Sequence, residues 1–239
     1  MEATIWMSRI IYPWTIAAAL LLFMVDSASA PRNGPPYDLY GGSITFDIHR
    51  EGEKIGLHHV AFAESKNGTR VDTLVEMEVR FLIFTAFKYR YFSSAEWDSQ
   101  GLASLNVTVD DDGEHFSMEA LRLNGALNIS TNRERYSVPV PVFPTNHWNA
   151  RVLTQSRVLN TLTGQVNDVR IILQGRETVE TEEGDVESTR YAYTGDLETE
   201  TWYDDAGRWV KMRFQGRDGS NIEYICRRCQ GGEMTKPEL

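Results

Sequence analysis

Turn signals that contain glycine recur along this chain and constrain its fold more than any other feature. They separate runs in which apolar and polar residues alternate, and such pairs supply the positive φ angles that tight hairpins need. The pairs are Glu51-Gly52, Asn67-Gly68, Gln100-Gly101, Asp112-Gly113, Asn124-Gly125, Glu183-Gly184, Ala206-Gly207 and Asp218-Gly219. The pattern predicts an all-β, mainly antiparallel fold, with a single curled meander sheet or incomplete β-barrel around an apolar interior.

Composition and charge narrow the class of protein. The 239 residues are 41% hydrophobic and carry a net charge of -10. We therefore predict one β-domain over residues 41–226, a flexible lead-in over 31–40 and a disordered tail over 227–239. The acidic charge argues against a nucleic acid partner and against adhesion to anionic lipid, because both need clustered basic residues.

The N-terminal thirty residues have the pattern of a signal peptide. Arg9 precedes an apolar run over residues 10–25, and Ala28-Ser29-Ala30 matches a cleavage signal. The sequence thus predicts export to the periplasm, with an uncleaved N-terminal membrane anchor as the alternative.

Alternation also predicts how the first strands pair. Ile44, Phe46 and Ile48 share one face, and a two-residue turn at Glu51-Gly52 would place them opposite His59, Leu57 and Ile55. A three-residue turn over residues 66–68 would then place Ala63 opposite Val71. This register predicts a left-handed conformation for Gly68 and an inward position for His59.

Residues 132–166 break the alternating pattern. The stretch from Val138 to Pro144 is too rich in proline for a central strand. The residues that follow predict a short helix or loop around 146–160, capped by Asn146 and containing Trp148 and Leu159. This segment is where we expect function.

The two cysteines, Cys226 and Cys229, follow a predicted strand. A redox motif would need a helix start in a thioredoxin-like setting, and two thiols cannot complete a four-cysteine zinc site. The pattern favours a local disulfide at a strand end in an oxidising compartment, or else an unpaired tail.

Motifs of known catalytic chemistry are missing from the sequence. It contains no G-x-S-x-G elbow, no phosphate-binding glycine loop and no dinucleotide fingerprint. We therefore expect no cofactor and no metal, and consider an enzyme the less favoured class. His59 is either a hydrogen-bonded core residue or, less favoured, a metal ligand.

Large rings with polar tips are frequent, and such rings often line a ligand cavity. Lys88 and Arg90 alternate with the rings of their strand, so we expect these two cations outside. The candidate ligand-binding residues are His59, Tyr89, Tyr91, Trp97, His147, Trp148, Tyr191, Tyr193 and Trp202.

Six motifs together resemble an uncharacterised family of exported bacterial proteins, domain of unknown function 6134. They are Phe46-Asp-Ile-His-Arg-Glu-Gly-Glu-Lys-Ile-Gly56, Tyr89-Arg-Tyr91 with Glu96-Trp97, Thr108-Val-Asp-Asp-Asp-Gly113, Asn146-His-Trp-Asn149, Leu159-Asn-Thr-Leu-Thr-Gly164 and Trp202-Tyr-Asp-Asp-Ala-Gly-Arg-Trp209. The resemblance covers about residues 40–226. It implies a distant likeness to periplasmic carriers of the lipoprotein-carrier type, in which an incomplete β-barrel holds acyl chains.

Three functions follow as hypotheses. The first is binding or carrying a hydrophobic or amphipathic ligand such as a lipid. The second is a structural or interaction protein of the envelope, with residues 132–166 as the surface for a protein partner. The third is a hydrolase or isomerase in the barrel mouth, built on His147 with Arg90, Glu96 and Asp168.

Overall fold

The computed structural model describes residues 36–81 and 84–231. The predicted signal peptide, most of the lead-in and the end of the predicted tail lie outside these residues. None of the helices in the described ranges is long and apolar enough to cross a membrane.

The described residues form fifteen strands, one short α-helix and one 3₁₀ turn. In chain order they are α1 (Pro36–Tyr40), β1 (Ser43–Arg50), β2 (Glu53–Ser65), β3 (Gly68–Phe81), β4 (Phe84–Asp98), β5 (Gly101–Asp111), β6 (Glu114–Leu123), β7 (Ala126–Thr131), β8 (Arg135–Pro139), β9 (Phe143–Pro144), the 3₁₀ turn (Ala150–Thr154), β10 (Arg157–Leu159), β11 (Val166–Thr181), β12 (Gly184–Gly195), β13 (Thr199–Asp204), β14 (Trp209–Gln215) and β15 (Asn221–Arg228).

All of these strands belong to one open sheet, which confirms the predicted fold class. Its order is β8-β7-β6-β5-β4-β3-β2-β1-β15-β14-β13-β12-β11-β10-β9. Neighbours are antiparallel except β9 and β10, which are parallel. The sheet curls strongly, since Arg217 after β14 forms an ion pair with Asp111 on β5 at 2.7 Å across the intervening strands.

The turn between β1 and β2 is as predicted, but the register beyond it is wrong. Glu51 and Gly52 both have positive φ, as a two-residue hairpin turn requires. A β-bulge then leaves Ile55 without a partner on β1, because Ile48 pairs with Gly56 and His49 with Lys54. The extra residue turns every later side chain of β2 to the other face.

The bulge changes which residues of β2 reach the core. Phe46 lies opposite His58 instead of Leu57, so His58, Val60 and Phe62 point inward. His59 therefore lies on the outer face, where its Nδ1 is 2.9 Å from the Thr45 hydroxyl.

The same shift explains the turn between β2 and β3. Ser65 pairs with Gly68, which makes a two-residue turn of Lys66-Asn67. The three-residue turn and the left-handed Gly68 were wrong predictions. Because the bulge had already exchanged the faces of β2, the shorter turn is the one that places Phe62 opposite Val71.

Residues 146–160 form a short helical and loop segment, as predicted, but the helical part is short and Asn146 is not its cap. The 3₁₀ turn Ala150–Thr154 is the helical part, and Asn149 caps it by accepting a hydrogen bond from the Arg151 N–H at 3.1 Å. Residues 157–159 pair with Val166, Asn167 and Asp168 of β11 instead. Strand pairing thus satisfies the backbone groups that another helical turn would have used.

The hairpin of β11 and β12 bends at Gly175 and folds over the outer face of the sheet. At its tip the Glu182 N–H donates to the Cys226 carbonyl at 3.1 Å. Trp202 on β13 is 2% exposed beneath this hairpin, although it points away from the barrel interior.

Both ends of the described chain are better packed than the sequence suggested. Tyr40, placed in the flexible lead-in, is buried at the end of α1. Cys229, placed in the disordered tail, is buried and forms a disulfide with Cys226. Buried residues therefore lie on both sides of the range 41–226.

Candidate functional site

The segment that follows β8 enters the interior of the curled sheet, which we call the barrel interior. We call residues 140–165 the plug. Two tyrosine hydroxyls hold its backbone: Tyr203 donates to the His147 carbonyl at 2.7 Å, and Tyr40 donates to the Trp148 carbonyl at 2.8 Å. Tyr40 also accepts from the Trp209 N–H at 2.8 Å, so α1, the plug and β14 are joined at one atom.

Trp148 fills the interior beside the 3₁₀ turn. Its ring lies 5.4 Å from both Phe62 and Trp97, in edge-to-face contact with each. Trp97 in turn contacts Phe143 at 5.7 Å. The plug therefore packs against β2 and β4 with large rings, which contribute most to a buried core of this kind.

A second group of rings surrounds Trp209. Its centroid is 4.2 Å from Phe46, 5.3 Å from His58, 5.6 Å from His147 and 6.2 Å from Tyr224. Ring contacts at these distances leave no room for an acyl chain between them. An enclosed pocket beneath Pro141, beside Trp97, has about 20 Å³, which is room for one water.

Burial keeps the two interior histidines neutral. It lowers the pKa of His58 to about 3, helped by the nearby His147 and His59, and lowers the pKa of His147 to about 4. The Nδ1 atoms of both rings are buried without a hydrogen-bond partner among the described residues. Burial also raises the pKa values of Tyr40, Tyr193 and Tyr224.

The residues of the enzyme hypothesis do not converge. His147 contacts the rings of Tyr193 and Trp209 inside the barrel. Arg90 pairs with Glu76 at 3.3 Å on the outer face, and Asp168 pairs with Arg157 at 3.6 Å at the surface. Among the described residues no carboxylate hydrogen-bonds to the His147 Nδ1 atom, as one would to orient a general base.

The structure brings most of the predicted ligand-binding residues to one interior. The inward members are Tyr89, Tyr91, Trp97, His147, Trp148, Tyr191 and Tyr193. Lys88 and Arg90 are exposed, as alternation predicted. His59 and Trp202 lie on the outer face and were wrongly placed.

Trp202 has polar partners that suit its outer position. Its indole N–H donates to Glu177, and Lys211 and Arg213 lie 5.3 Å and 5.6 Å from its ring. The sequence also missed several interior rings. Alternation along β15 could have identified Tyr224. Trp209 was hidden by the irregularity in the β13–β14 pairing, and His58 by the bulge in β2.

A gap lies between β8, which is one edge of the open sheet, and the β10–β11 hairpin, which adjoins the other edge strand, β9. We call this gap the seam. It forms an open cleft of about 640 Å³, with Glu134, Tyr136 and Val138 on one side and Arg157, Val166 and Asp196 among the residues on the other. The Tyr136 hydroxyl spans the seam and donates to the Gly164 carbonyl.

The outer edge of β8 is unpaired. β8 pairs with β7 on one side and ends the sheet on the other. Exposed apolar side chains lie on β6, two strands from this edge, at Leu121 and Leu123, and in the plug at Leu162. The β8 edge therefore offers free backbone groups.

Comparison with known structures identifies a similar fold. A crystal structure of a β-barrel-like protein of the domain of unknown function DUF1849 from Brucella abortus aligns with a TM-score of 0.59. The alignment covers 82% of this chain and 99% of that one, at 10% sequence identity. At that identity the likeness concerns the fold alone.

The sequence comparisons lead to a family and not to a function. No curated protein matches the chain. The family described as domain of unknown function DUF6134 matches residues 46–227, from the core strand β1 to the residue after Cys226. The chain therefore belongs to the DUF6134 family.

Proposed function

We propose that this protein is an exported interaction protein of the bacterial envelope that binds a segment of a partner protein at the seam. The observation that carries the proposal is the open sheet, whose unpaired β8 edge borders a cleft of about 640 Å³. An unpaired strand edge is a typical binding site for an extended polypeptide.

The packed interior supports this role over lipid carriage within the barrel. Phe46, Trp148 and Trp209 occupy the space that an acyl chain would need, and the enclosed pocket beneath Pro141 has about 20 Å³. Ligand pockets that bury a drug-sized molecule usually have a few hundred Å³ or more.

Two observations support export. The N-terminal residues have the basic, apolar and small-residue order of a signal peptide. Cys226 and Cys229 form a buried disulfide, and structural disulfides persist mainly in oxidising compartments such as the periplasm.

Site-specific photo-crosslinking in living bacteria tests the proposal. A benzophenone amino acid replaces Gln165, which is exposed at the seam, or Lys66, which is exposed at the distant β2–β3 turn. We expect a discrete crosslinked species from position 165 alone, containing one envelope protein by mass spectrometry. Equal crosslinking from both positions, or none from position 165, would refute a partner at the seam.

A further inference from the structure

We propose that β8 receives an extended basic segment of the partner polypeptide as an added β-strand. This inference rests on the proposed function, because it specifies how a partner would bind at the seam. It concerns the backbone of Arg135 and Ser137, whereas the proposed function requires only that the partner contacts the seam.

The pairing of β7 with β8 determines which backbone groups are free. Thr131 N–H donates to the Glu134 carbonyl at 2.9 Å, and Val140 N–H donates to the Gly125 carbonyl at 3.4 Å. Hydrogen-bonded pairs alternate along an antiparallel ladder, so Tyr136 and Val138 also bond to β7.

The intervening residues of β8 must direct their backbone groups to the opposite side. Arg135 and Ser137 each present an N–H and a carbonyl there, and no described residue pairs with that edge. An extended polypeptide is the ligand whose own N–H and carbonyl groups match this spacing. Hydrogen bonding at Arg135 and Ser137 would therefore set the register of the added strand.

Two rows of side chains run across the outer face from this edge. Leu121 pairs with Asn128 and Asn128 with Ser137, so the three residues form one row. Leu123, Ala126 and Pro139 form the next row. A strand added to β8 would extend both rows, and its side chains would contact Ser137 and Pro139.

Charge at the seam favours a basic segment. Glu134 and Asp196 line the cleft, and the cation that lines it, Arg157, already pairs with Asp168 at 3.6 Å. The exposed Arg135 lies on the edge itself and donates to the Ser130 hydroxyl, so the attraction of a basic segment comes from Glu134 and Asp196. The whole chain carries a net charge of -10. Basic residues in the segment would therefore be attracted to the seam, and a second copy of this acidic chain would be repelled.

Ser137 offers a matched pair of variants. Its N–H points away from β7, so Ser137→Pro removes an edge donor without breaking a bond within the sheet. Ser137→Ala keeps that donor, and both variants lose the hydrogen bond from the Ser137 hydroxyl to Asn128. Equal melting temperatures for the two variants would show that any difference in binding arises at the edge.

The probe is a capped hexapeptide that alternates valine and lysine, and the reference probe is the same peptide with alternate backbone nitrogens methylated. Binding is measured by NMR on the full exported chain. We expect shifts at the amides of Arg135 and Ser137 for the wild type and Ser137→Ala. We expect at least tenfold weaker binding to Ser137→Pro, and the same loss for the methylated peptide with the wild type.

Three outcomes would overturn the inference: equal peptide binding by the two Ser137 variants, equal binding of the methylated peptide, or a wild-type dimer that Ser137→Pro dissociates. The third outcome would show that a second copy of this chain, and not a partner polypeptide, pairs with β8. If Ser137→Pro retains the position-165 crosslink, strand addition fails but the proposed function stands. Absence of that crosslink in the chain with wild-type Ser137 removes the proposed function itself.

Discussion

Individual residues decide the register of this sheet. Ile55 forms the bulge, and Gly56, which follows it, lies against the backbone of β3. A Cβ on Gly56 would be 2.1 Å from the Glu76 carbonyl oxygen and 2.8 Å from the Met77 Cα. Glycine is therefore required where the bulge brings β2 and β3 close together.

We expect Gly56→Ala to destabilise the fold by about 3 kcal/mol, because backbone atoms cannot move aside as a flexible side chain would. Urea unfolding measures the loss. Gly113→Ala is the comparison, since a Cβ there meets nothing within 4 Å and only its positive φ opposes the change. That variant should lose about 1 kcal/mol. Equal losses would show that the contact with Glu76 is unimportant.

His58 and His147 make stability depend on pH. Burial lowers the pKa values of both rings from 6.5, to about 3 and about 4, so the unfolded chain binds their protons first as pH falls. The stabilisation that comes from keeping these two rings neutral is therefore fully present above pH 6.5, and it is lost as pH falls toward 4. Each ring contributes up to about 1.4 kcal/mol per pH unit in that window.

Urea unfolding between pH 6.5 and pH 4.5 tests this dependence. His147→Phe keeps ring contacts with Tyr193 and Trp209 and should remove about half of the slope. His115→Gln changes an exposed histidine and is the control. An unchanged slope in His147→Phe would contradict the expected role of the buried ring.

Strand ends also depend on tertiary contacts. The disulfide lies where β15 ends, and the tip of the β11–β12 hairpin bonds to the Cys226 carbonyl. Beyond it, the Gln230 carbonyl accepts a hydrogen bond from Arg208. The bridge therefore anchors the end of β15 beneath the hairpin that covers Trp202.

Replacing both Cys226 and Cys229 with alanine should cost about 2 kcal/mol, the value expected when a short loop loses its crosslink. Thermal unfolding of the variant and of the oxidised wild type gives the difference. Both cysteines are fully buried, so dithiothreitol should reduce the bridge only as the protein unfolds. Rapid reduction of the fully folded chain would show that the strand end opens independently.

For the molecule as a whole, the packed interior predicts how it treats apolar ligands. The wild type should not bind indole or a fluorescent fatty acid in its interior. Trp148→Ala removes the ring between Phe62 and Trp97, so it should cost about 4 kcal/mol and create an apolar cavity.

Indole should bind that cavity and raise the melting temperature of Trp148→Ala alone. Wild-type chain with the same indole is the control. Saturable binding of the fatty acid by the wild type at neutral pH would instead favour the carrier hypothesis.

The sequence predicted what depends on local pattern and missed what depends on distant contacts. Alternation along β4 correctly placed Tyr89, Tyr91 and Trp97 inside, and Glu51-Gly52 correctly predicted a two-residue turn. Alternation alone does not mark Ile55 as a bulge, because the close approach of Gly56 to β3 beside it is a tertiary contact. Trp202 was misplaced for a similar reason, since the hairpin that covers it folds back from β11.

The sheet order also has a consequence for chain connectivity. β1 and β15 are neighbours at the centre of the sheet, whereas β8 and β9, which adjoin in sequence, are its edges. Near the described ends, Gly231 lies close enough to Leu39 that an added Cβ would be 2.7 Å from the Leu39 carbonyl oxygen. In a circular permutant that joins these ends by a short linker and opens between β8 and β9, the order of strands in the sheet would therefore match their order in the chain. Every strand would then pair with its neighbour in sequence, and the new termini would emerge at the seam.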